Sequence, residues 1–451
     1  MLVKRTAELK LLEEQYSTAG NNLVILYGRK GMGKTSLIKE FLVDKPSAFY
    51  YEGMECEDEL QFLLMNRRVH RENGSYELTD YPILFSSLLS SGEDKTIIIL
   101  DEFHYILKSS SDILEAFRIL KSQNRSVMFV LCSSSIRWVE NEMVSELGEY
   151  AAFITAYMKL KEFTFVDFVN RFPKSSVETC IYINAILGGI PEYLASWQES
   201  LSVEKNIKNL LLNKNSRLIH APQQLLKLEL REPAVYNTIL YYLAVGNRKL
   251  NDLHSKTGYS RAKISVYLKN LIQLDIVEKL VPLDEEGKEN AMRGLYRIKD
   301  NFLSFWYRFV FPNLSEIMLD SADRIYTREI APDLDTYMEE YFADVCTEFL
   351  KLMNLHERLP EKFIWWDRWY GKNGTIDILA QTGDKKTLVG NCHFENRITE
   401  PEEYLALLAL ADEAKVSSDY CYLFSRKGFS DELKKMAADR KDLILIGLED
   451  L

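Results

Sequence analysis

Three short apolar runs in the first third of the chain have the pattern of buried strands. They are residues 22–27 (NLVILY), 96–100 (TIIIL) and 127–135 (VMFVLCSSS). Strands of a parallel sheet that is covered on both faces are continuously apolar rather than alternating. The segment TSLIKEFL, after the first run, has the spacing of a helix. This pattern predicts an α/β fold with a parallel sheet.

A glycine-rich loop connects the first strand to this helix. Residues 28–35, GRKGMGKT, match G-x-x-x-x-G-K-[ST] without a gap. Glycines let such a loop curl its N–H groups around phosphate oxygens, while the lysine reaches the β- and γ-phosphates and the hydroxyl binds Mg²⁺. We therefore predict that ATP or ADP binds with Mg²⁺. The predicted nucleotide contacts here are Gly28, Arg29, Lys30, Gly31, Met32, Gly33, Lys34, Thr35 and Ser36, with Thr35 also on the metal.

The second and third strands end in polar residues that suit the same site. Asp101 and Glu102 follow the second run, so Asp101 is expected to hold Mg²⁺ and Glu102 to polarise the attacking water. Glu102 could instead cap the next helix. Ser133, at the end of the third strand, could sense the γ-phosphate, or the serines there could only cap a helix.

The middle of the chain predicts a helix-turn-helix followed by a two-stranded wing. Helical spacing around Ile239 and at residues 250–257 is followed by a GYS turn and a third helix capped by Ser260. Residues 246–297 hold ten Lys or Arg against seven Asp or Glu, a modestly basic surface. We expect the third helix to expose basic and polar side chains, Tyr267 and Asn270 among them. DNA contacts are predicted at Arg261, Lys263, Lys269, Lys288 and Arg293, although such modules also pack against protein.

Composition and charge narrow the choice of protein class. The 451 residues predict several domains, and 47% hydrophobic with 27% charged residues is typical of folded proteins. The net charge of −11 excludes a polycation, so any nucleic-acid surface must be local. Six scattered cysteines without a C-x-x-C pair favour a reducing cytoplasm, and no apolar run is long enough to cross a membrane.

The N-terminal part resembles AAA+-like ATPases of the archaeal type, relatives of the signal-transduction ATPases with numerous domains. The resemblance includes the loop, the ILDEF strand end and an opening box matched by Arg5, Glu8 and Leu9. The segment LGGIPEYL resembles the family's lid motif and implies that Pro191 lies against the nucleotide. Family members often supply an arginine before the lid strand, and this chain has none there. The resemblance therefore implies slow hydrolysis and a nucleotide-dependent switch.

The phrase NFLSFWYRFVFPNL, at residues 301–314, resembles the segment that precedes a PD-(D/E)xK nuclease-like domain in the same family. That resemblance puts a metal-binding aspartate at Asp377, whereas Asn391 and His393 stand where a glutamate and a lysine are usual. Glu339 and Glu340 lie near the position of another expected acid. One carboxylate is weak support for Mg²⁺ chemistry, so we expect a degenerate nuclease site.

We therefore expect an α/β protein in four parts. They are a P-loop NTPase (AAA+-like) core at 1–165, a helical lid at 166–230, a winged helix-turn-helix at 231–300 and a degenerate restriction-endonuclease-like α/β domain at 301–451. The expected partners are nucleotide, DNA through the winged helix, and a protein that the sequence does not identify. The alternatives are an ATP-gated, metal-dependent nuclease and an interaction module with structural ATP.

Overall fold

The computed structural model describes residues 5–45, 48–73, 80–89, 95–121, 126–280 and 294–451. The chain divides into two compact units, Leu2–Glu162 and Phe163–Leu451. Among the described residues, no helix is long and apolar enough to cross a membrane.

The first unit is a parallel sheet flanked by helices. Its described strands are β1 (Asn22–Tyr27), β2 (Ala48–Glu52), β3 (Thr96–Asp101), β4 (Val127–Ser133) and β5 (Ile154–Lys159). Its described helices are α1 (Thr6–Ser17), α2 (Lys34–Phe41), α3 (Asp58–Asn73), α4 (Tyr81–Leu88), α5 (Phe103–Ser109), α6 (Ile136–Asn141) and α7 (Met143–Leu147), with 3₁₀ segments at Ser111–Lys121 and Gly148–Phe153.

The strand order explains why distant residues meet in this unit. The sheet runs β2-β3-β4-β1-β5, and every neighbouring pair is parallel. Strands β1, β3 and β4 are buried along nearly their whole length, so their apolar runs are continuous. The α/β fold with a parallel sheet is confirmed. Because the carboxyl ends of parallel strands share one edge, the residues after β1, β3 and β4 lie together.

The second unit combines helices, a short hairpin and a second sheet. Its described helices are α8 (Phe165–Arg171), α9 (Val177–Leu187), α10 (Pro191–Leu194), α11 (Val203–Leu211), α12 (Ala221–Glu229), α13 (Pro233–Ala244), α14 (Leu250–Thr257), α15 (Arg261–Gln273), α16 (Asn301–Phe305), α17 (Leu314–Ile317), α18 (Ala322–Ile325), α19 (Leu334–Leu355), α20 (Pro401–Ala414) and α21 (Asp431–Ala438). Its described strands are β6 (Val277–Leu280), β7 (Leu295–Ile298), β8 (Phe363–Tyr370), β9 (Thr375–Thr382), β10 (Thr387–His393), β11 (Tyr420–Ser425) and β12 (Leu443–Gly447).

The aromatic phrase after the wing forms a buried helical segment at the centre of this unit. Helix α16 continues into a π-helical turn at Trp306–Val310. Phe302, Phe305, Trp306 and Tyr307 are fully buried. Trp306 Nε1 donates to the Ile219 carbonyl at 3.0 Å. This segment therefore belongs to the hydrophobic core. Large buried aromatic side chains contribute much of the free energy that such a segment gains on burial.

The helices α13, α14 and α15 and the antiparallel pair β6–β7 have the arrangement of a winged helix-turn-helix. Gly258, at φ +72°, ends α14, and the Ser260 hydroxyl caps α15 by accepting from the Lys263 N–H. Left-handed glycine at a helix end and serine at the next helix start are favoured local choices. The predicted helix-turn-helix is present.

The last sheet has the order β12-β11-β10-β9-β8. Strands β8, β9 and β10 are antiparallel, whereas β10, β11 and β12 are parallel. This part of the chain therefore combines helices with a mixed sheet, and its likeness to nucleases stays a prediction. Asp377 lies on β9, and Asn391 and His393 lie on the neighbouring strand β10.

Candidate functional site

The loop at residues 28–35 adopts a conformation that requires its glycines. Gly31 has φ +87° and Gly33 has φ +86°, in the left-handed region that glycine tolerates best. At Gly28, with φ +153°, an added Cβ would lie 2.9 Å from the Leu160 carbonyl oxygen. The loop is therefore pressed against the end of β5. It leads directly into α2, whose N-terminus carries the positive end of the helix dipole.

Lys34 is buried inside this loop. Its side chain is 6% exposed, and Nζ donates to the Gly28 carbonyl at 2.8 Å and to the Arg29 carbonyl at 3.4 Å. Among the described residues, Lys34 forms no ion pair. A buried ammonium without a negative partner is costly, so the site is suited to an anion.

The predicted metal ligands meet at the edge of the sheet. Thr35 Oγ1 donates to Asp101 Oδ2 at 3.2 Å. Tyr50 Oη, on β2, donates to the same oxygen at 2.8 Å, and burial followed by the Asp101 charge raises the pKa of Tyr50 well above its usual value. The hydroxyl and carboxylate that Mg²⁺ would use are therefore adjacent. Sequence reasoning missed Tyr50, because nothing in AFYYE distinguishes it from a packing residue.

Glu102 is held by the polar segment after β4. Its backbone is left-handed, with φ 48°, and its Oε2 accepts from the Ser134 N–H at 2.9 Å and the Ser134 hydroxyl at 2.7 Å. His104 Nδ1 lies 3.5 Å from the same oxygen, and burial lowers the pKa of His104 although Glu102 opposes that shift. Ser133 Oγ lies 3.0 Å from His104 Nδ1. Glu102 precedes α5 but makes no side-chain capping bond to it.

The serines after β4 also accept hydrogen bonds from backbone N–H groups at the start of α6. Ser135 caps α6 by accepting from the Trp138 N–H, and Ser133 Oγ accepts from the Ser135 N–H at 3.1 Å. Ser133 is only 1% exposed. Ser133 therefore helps to order the start of α6, and its role in sensing nucleotide stays a prediction. Ser134 is a contact that the sequence did not single out.

The remaining predicted loop residues differ in exposure. Lys30, Thr35 and Ser36 are exposed, whereas Met32 is buried. Arg29 is 5% exposed, and its Nη1 lies 3.8 Å from Glu162 Oε1. The exposed side chains are free to change partner when a ligand binds, and Arg29 is packed within its own unit.

Arg5 connects the start of the chain to the loop. Its Nη2 donates to the Met32 carbonyl at 3.0 Å and to the Lys161 carbonyl at 2.9 Å, and its Nη1 donates to Glu8 at 3.1 Å. The opening box therefore supports the loop from outside. The resemblance to AAA+-like ATPases was the signal that singled out Arg5 and Glu8.

Two further residues bear on the lid and on the supply of an arginine. Pro191 is the first residue of α10, in the second unit, after Gly188 at φ +63° has ended α9. Arg137 is exposed on α6 and lies 3.7 Å from Glu142. Contact of Pro191 with nucleotide stays a prediction.

The surface of α15 differs in part from the expectation. Arg261 and Lys269 are exposed, and Lys263 is half-buried with its ammonium 4.8 Å from the Tyr259 ring. The prediction that Tyr267 lies on the exposed face is wrong. Tyr267 is 8% exposed, and its hydroxyl donates to the Glu232 carboxylate. Asn270 is also turned inward and donates to Tyr236 Oη at 2.7 Å. Lys288 and Arg293 lie outside the described residues.

The nuclease-like residues lie side by side. Asn391 Oδ1 accepts the Asp377 N–H at 3.1 Å, and Asp377 Oδ2 accepts the Cys392 N–H at 3.0 Å. Burial raises the pKa of Asp377, and burial together with the nearby charges of Glu395 and Asp377 raises the pKa of Glu339 to about 7. Within the described part of the chain, no group of three or more His, Cys, Asp or Glu side chains is placed to hold a metal ion.

Three arginines and three acids form a network beside these residues. Arg297 on β7 makes two bonds to Asp344, both at 3.1 Å, and also contacts Glu340. Arg248 pairs with Glu340, and Arg368 donates to Asp344 at 3.1 Å. The third acid, Glu278, forms an ion pair with Arg297. These pairs connect the winged helix to α19 and β8, and the arginines lower the pKa of Glu340 to about 2 against the effect of burial.

Comparison with known proteins identifies matching families over three segments. Residues 2–197 match the family described as "ATPase domain predominantly from Archaea". Residues 237–279 match "Bacterial regulatory protein, arsR family", and residues 306–404 match "Archaea bacterial proteins of unknown function". The first match includes the loop and the acid pair, and the second includes the helix-turn-helix.

Individual relatives and solved structures are also similar to this chain. An uncharacterized protein of Methanocaldococcus jannaschii is 29% identical over 459 residues, covering 95% of this chain and 100% of the relative. The Walker-type ATPase of Pyrococcus abyssi has a TM-score of 0.47 at 15% identity, covering 68% of this chain and 96% of that one. For the ORC2 protein of Aeropyrum pernix the TM-score is 0.44 at 15% identity, with 71% and 96% covered. Residues 2–197 of this chain are thus similar to an ATPase domain found predominantly in Archaea.

Proposed function

We propose that this chain binds ATP or ADP with Mg²⁺ at residues 28–36 and acts as a nucleotide-dependent switch that hydrolyses ATP slowly. The observation that carries the proposal is the buried ammonium of Lys34, which donates only to carbonyls of its own loop. A phosphate would replace those carbonyls with charged acceptors and satisfy the ammonium more strongly. The left-handed glycines and the N-terminus of α2 suit the same anion.

Thr35 and Asp101 are the residues that would hold Mg²⁺. They already share a hydrogen bond at 3.2 Å, so little rearrangement is needed to place both beside one cation. ATP with Mg²⁺ supplies the transferable phosphoryl group and a cation that neutralises part of its charge. Tyr50 orients Asp101 through its bond to Oδ2.

Slow hydrolysis follows from the position of Glu102. Its Oε2 accepts two hydrogen bonds from Ser134, and these bonds hold the carboxylate toward the segment after β4. Arg137, the nearest candidate for a finger, is an exposed residue paired with Glu142. A catalytic acid held in this way, with no arginine at the family's usual position before the lid strand, supports switching rather than rapid turnover.

Isothermal titration with ATP and Mg²⁺ tests the nucleotide site. Lys34→Ala should abolish binding, because it removes the buried ammonium that now donates to the Gly28 and Arg29 carbonyls. Lys39→Ala is the matched control: Lys39 is exposed on the same helix and is not in the loop. Unchanged affinity in Lys34→Ala, or equal losses in both variants, would contradict the proposal.

DNA contact through the winged helix is a second candidate, favoured by the exposed Arg261 and Lys269 and the half-buried Lys263 on α15. The match of residues 237–279 to a family of bacterial regulatory proteins also supports it. Each lost phosphate contact should flatten the logarithmic salt dependence of binding by about one unit.

Charge reversal at these three residues, measured with duplex DNA over a range of salt concentrations, tests this candidate. Reversal at Lys227, exposed on α12 outside the helix-turn-helix, is the control. If all variants bind DNA alike, the winged helix does not bind DNA through these residues. The alternative, a module that binds another protein, would then be favoured.

The last sheet is proposed as a degenerate rather than a working nuclease. Asn391 already accepts from the backbone of Asp377, and Asp377 already accepts from Cys392. Only one of these two side chains is an acid. Mg²⁺ gives up its waters reluctantly and favours anionic oxygen ligands, so this pair is poorly suited to hold it.

A further inference from the structure

A cavity of about 500 Å³ lies within the second unit, between the winged helix and the last sheet. Its lining includes Gly246 and Arg297 from the winged helix, Glu340 from α19, and Tyr370, Asp377 and His393 from the sheet. This volume is in the usual range for a pocket that holds a small organic ligand. The nucleotide loop belongs to the other unit, so this cavity is a different site.

Four arginines contribute to the wall of the cavity: Arg248, Arg297, Arg308 and Arg368. Each guanidinium has five N–H donors, more than its internal partners use. Arg308, for example, donates to Asp333 and to the Ala244 carbonyl. The acids of the network pair with Arg248, Arg297 and Arg368 but do not use all of their N–H groups.

Among the residues that line the cavity, three buried polar atoms have no hydrogen-bond partner in the described part of the chain. They are Arg308 Nε, Tyr370 Oη and His393 Nε2. Buried polar atoms are nearly always satisfied, because leaving one without a partner costs free energy. Tyr370 also lies in the field of Arg248, Arg297 and Arg368. Two of the three atoms, Arg308 Nε and Tyr370 Oη, carry hydrogens to donate, so the matching ligand is rich in acceptors.

We propose that this cavity binds a small phosphorylated molecule of about mononucleotide size, with its phosphate on Arg308 and Tyr370. Guanidinium groups match phosphate oxygens in geometry and charge. Leu243, Ile298 and Leu410 supply an apolar part of the wall for the organic portion of the ligand. Since the wall joins the winged helix to the last sheet, the ligand bridges both.

The test uses the full chain carrying Lys34→Ala, so that binding at the nucleotide loop does not contribute. The probes are inorganic phosphate and AMP, measured by titration calorimetry, with citrate as an oxyanion that lacks phosphate. We expect saturable binding of phosphate and tighter binding of AMP. Success or failure here is independent of the proposed ATP site, whose critical lysine is already absent.

Two matched substitutions separate a ligand contact from a packing effect. Tyr370→Phe removes the unpartnered hydroxyl of a residue that lines the cavity. Tyr404→Phe removes a buried hydroxyl that also lacks a partner in the described chain, on a residue that does not line the cavity. Neither should lower the melting temperature, because neither breaks a hydrogen bond in the structure. Only Tyr370→Phe should weaken AMP binding, by roughly tenfold. Arg308→Lys should weaken it similarly while it keeps the charge beside Asp333.

Several results would overturn the proposal. One is no saturable binding of phosphate or AMP to the Lys34→Ala protein. Another is equal affinity in the Tyr370→Phe and Tyr404→Phe variants, which would place the ligand elsewhere. Tighter binding of citrate than of AMP would show that the site does not select phosphate.

Discussion

The pH dependence of stability can report whether Glu339, beside the nuclease-like residues, is protonated. Burial, followed by the charges of Glu395 and Asp377, raises its pKa from about 4.5 to about 7, although the N–H groups of Phe394 and Glu395 oppose the shift. The folded protein therefore binds more protons at this residue than the unfolded chain between these two pH values. Stability from this group is highest below pH 4.5 and falls as the pH rises through 7.

The magnitude follows from the size of the shift. A difference of about 2.5 pH units corresponds to about 3 kcal/mol at most. Glu339 is half-buried, and solvent screening reduces the expected effect to about 1–2 kcal/mol. Glu339→Gln keeps an acceptor for the Phe394 N–H, which bonds to Glu339 at 3.1 Å, but cannot ionise. The variant should therefore gain stability over the wild type as the pH rises from 5.5 to 8.

Thermal melting of both proteins across this pH range measures the effect. The difference between their melting temperatures reports Glu339 alone, because other groups titrate alike in both proteins. Glu402→Gln, exposed on α20, is the control and should show no trend with pH. A difference between wild type and Glu339→Gln that is constant with pH, or that reverses sign, would refute the reasoning. So would a trend that disappears on adding Mg²⁺, since that would mean the carboxylate is a metal ligand.

Three further outcomes follow from the same contacts. Tyr50→Phe removes the bond to Asp101 and should weaken binding of Mg²⁺ with ATP several-fold while leaving Mg²⁺-free ADP binding unchanged; equal losses in both titrations would argue against a role at the metal. Ser134→Ala releases one of two bonds on Glu102 and should raise the rate of phosphate release by up to roughly tenfold, whereas a slower rate would mean that Ser134 orients the base. Plasmid incubated with the wild type and Mg²⁺ should stay intact; nicking that Asp377→Ala abolishes would show a working nuclease.

Much of the nucleotide site was predictable because its signals are local. A strand buried on both faces must be apolar throughout, and a loop with left-handed residues needs glycine at Gly31 and Gly33. The N-terminal cap of α15 is equally local, since the Ser260 hydroxyl accepts a hydrogen bond from an N–H three residues away. Such features depend on neighbours in the chain, so the sequence by itself determined the elements and the loop.

Only the tertiary structure decided which distant side chains meet. Tyr50 reaches Asp101 because β2 lies beside β3, and Ser134 reaches Glu102 because β4 follows on the other side. Tyr267 was placed on the wrong face of α15, since helical periodicity does not say which neighbour covers a residue. The arginine-lined cavity has the same origin: its walls come from the winged helix, α19 and the last sheet, and side-chain contacts between separate elements depend on packing that no local pattern encodes.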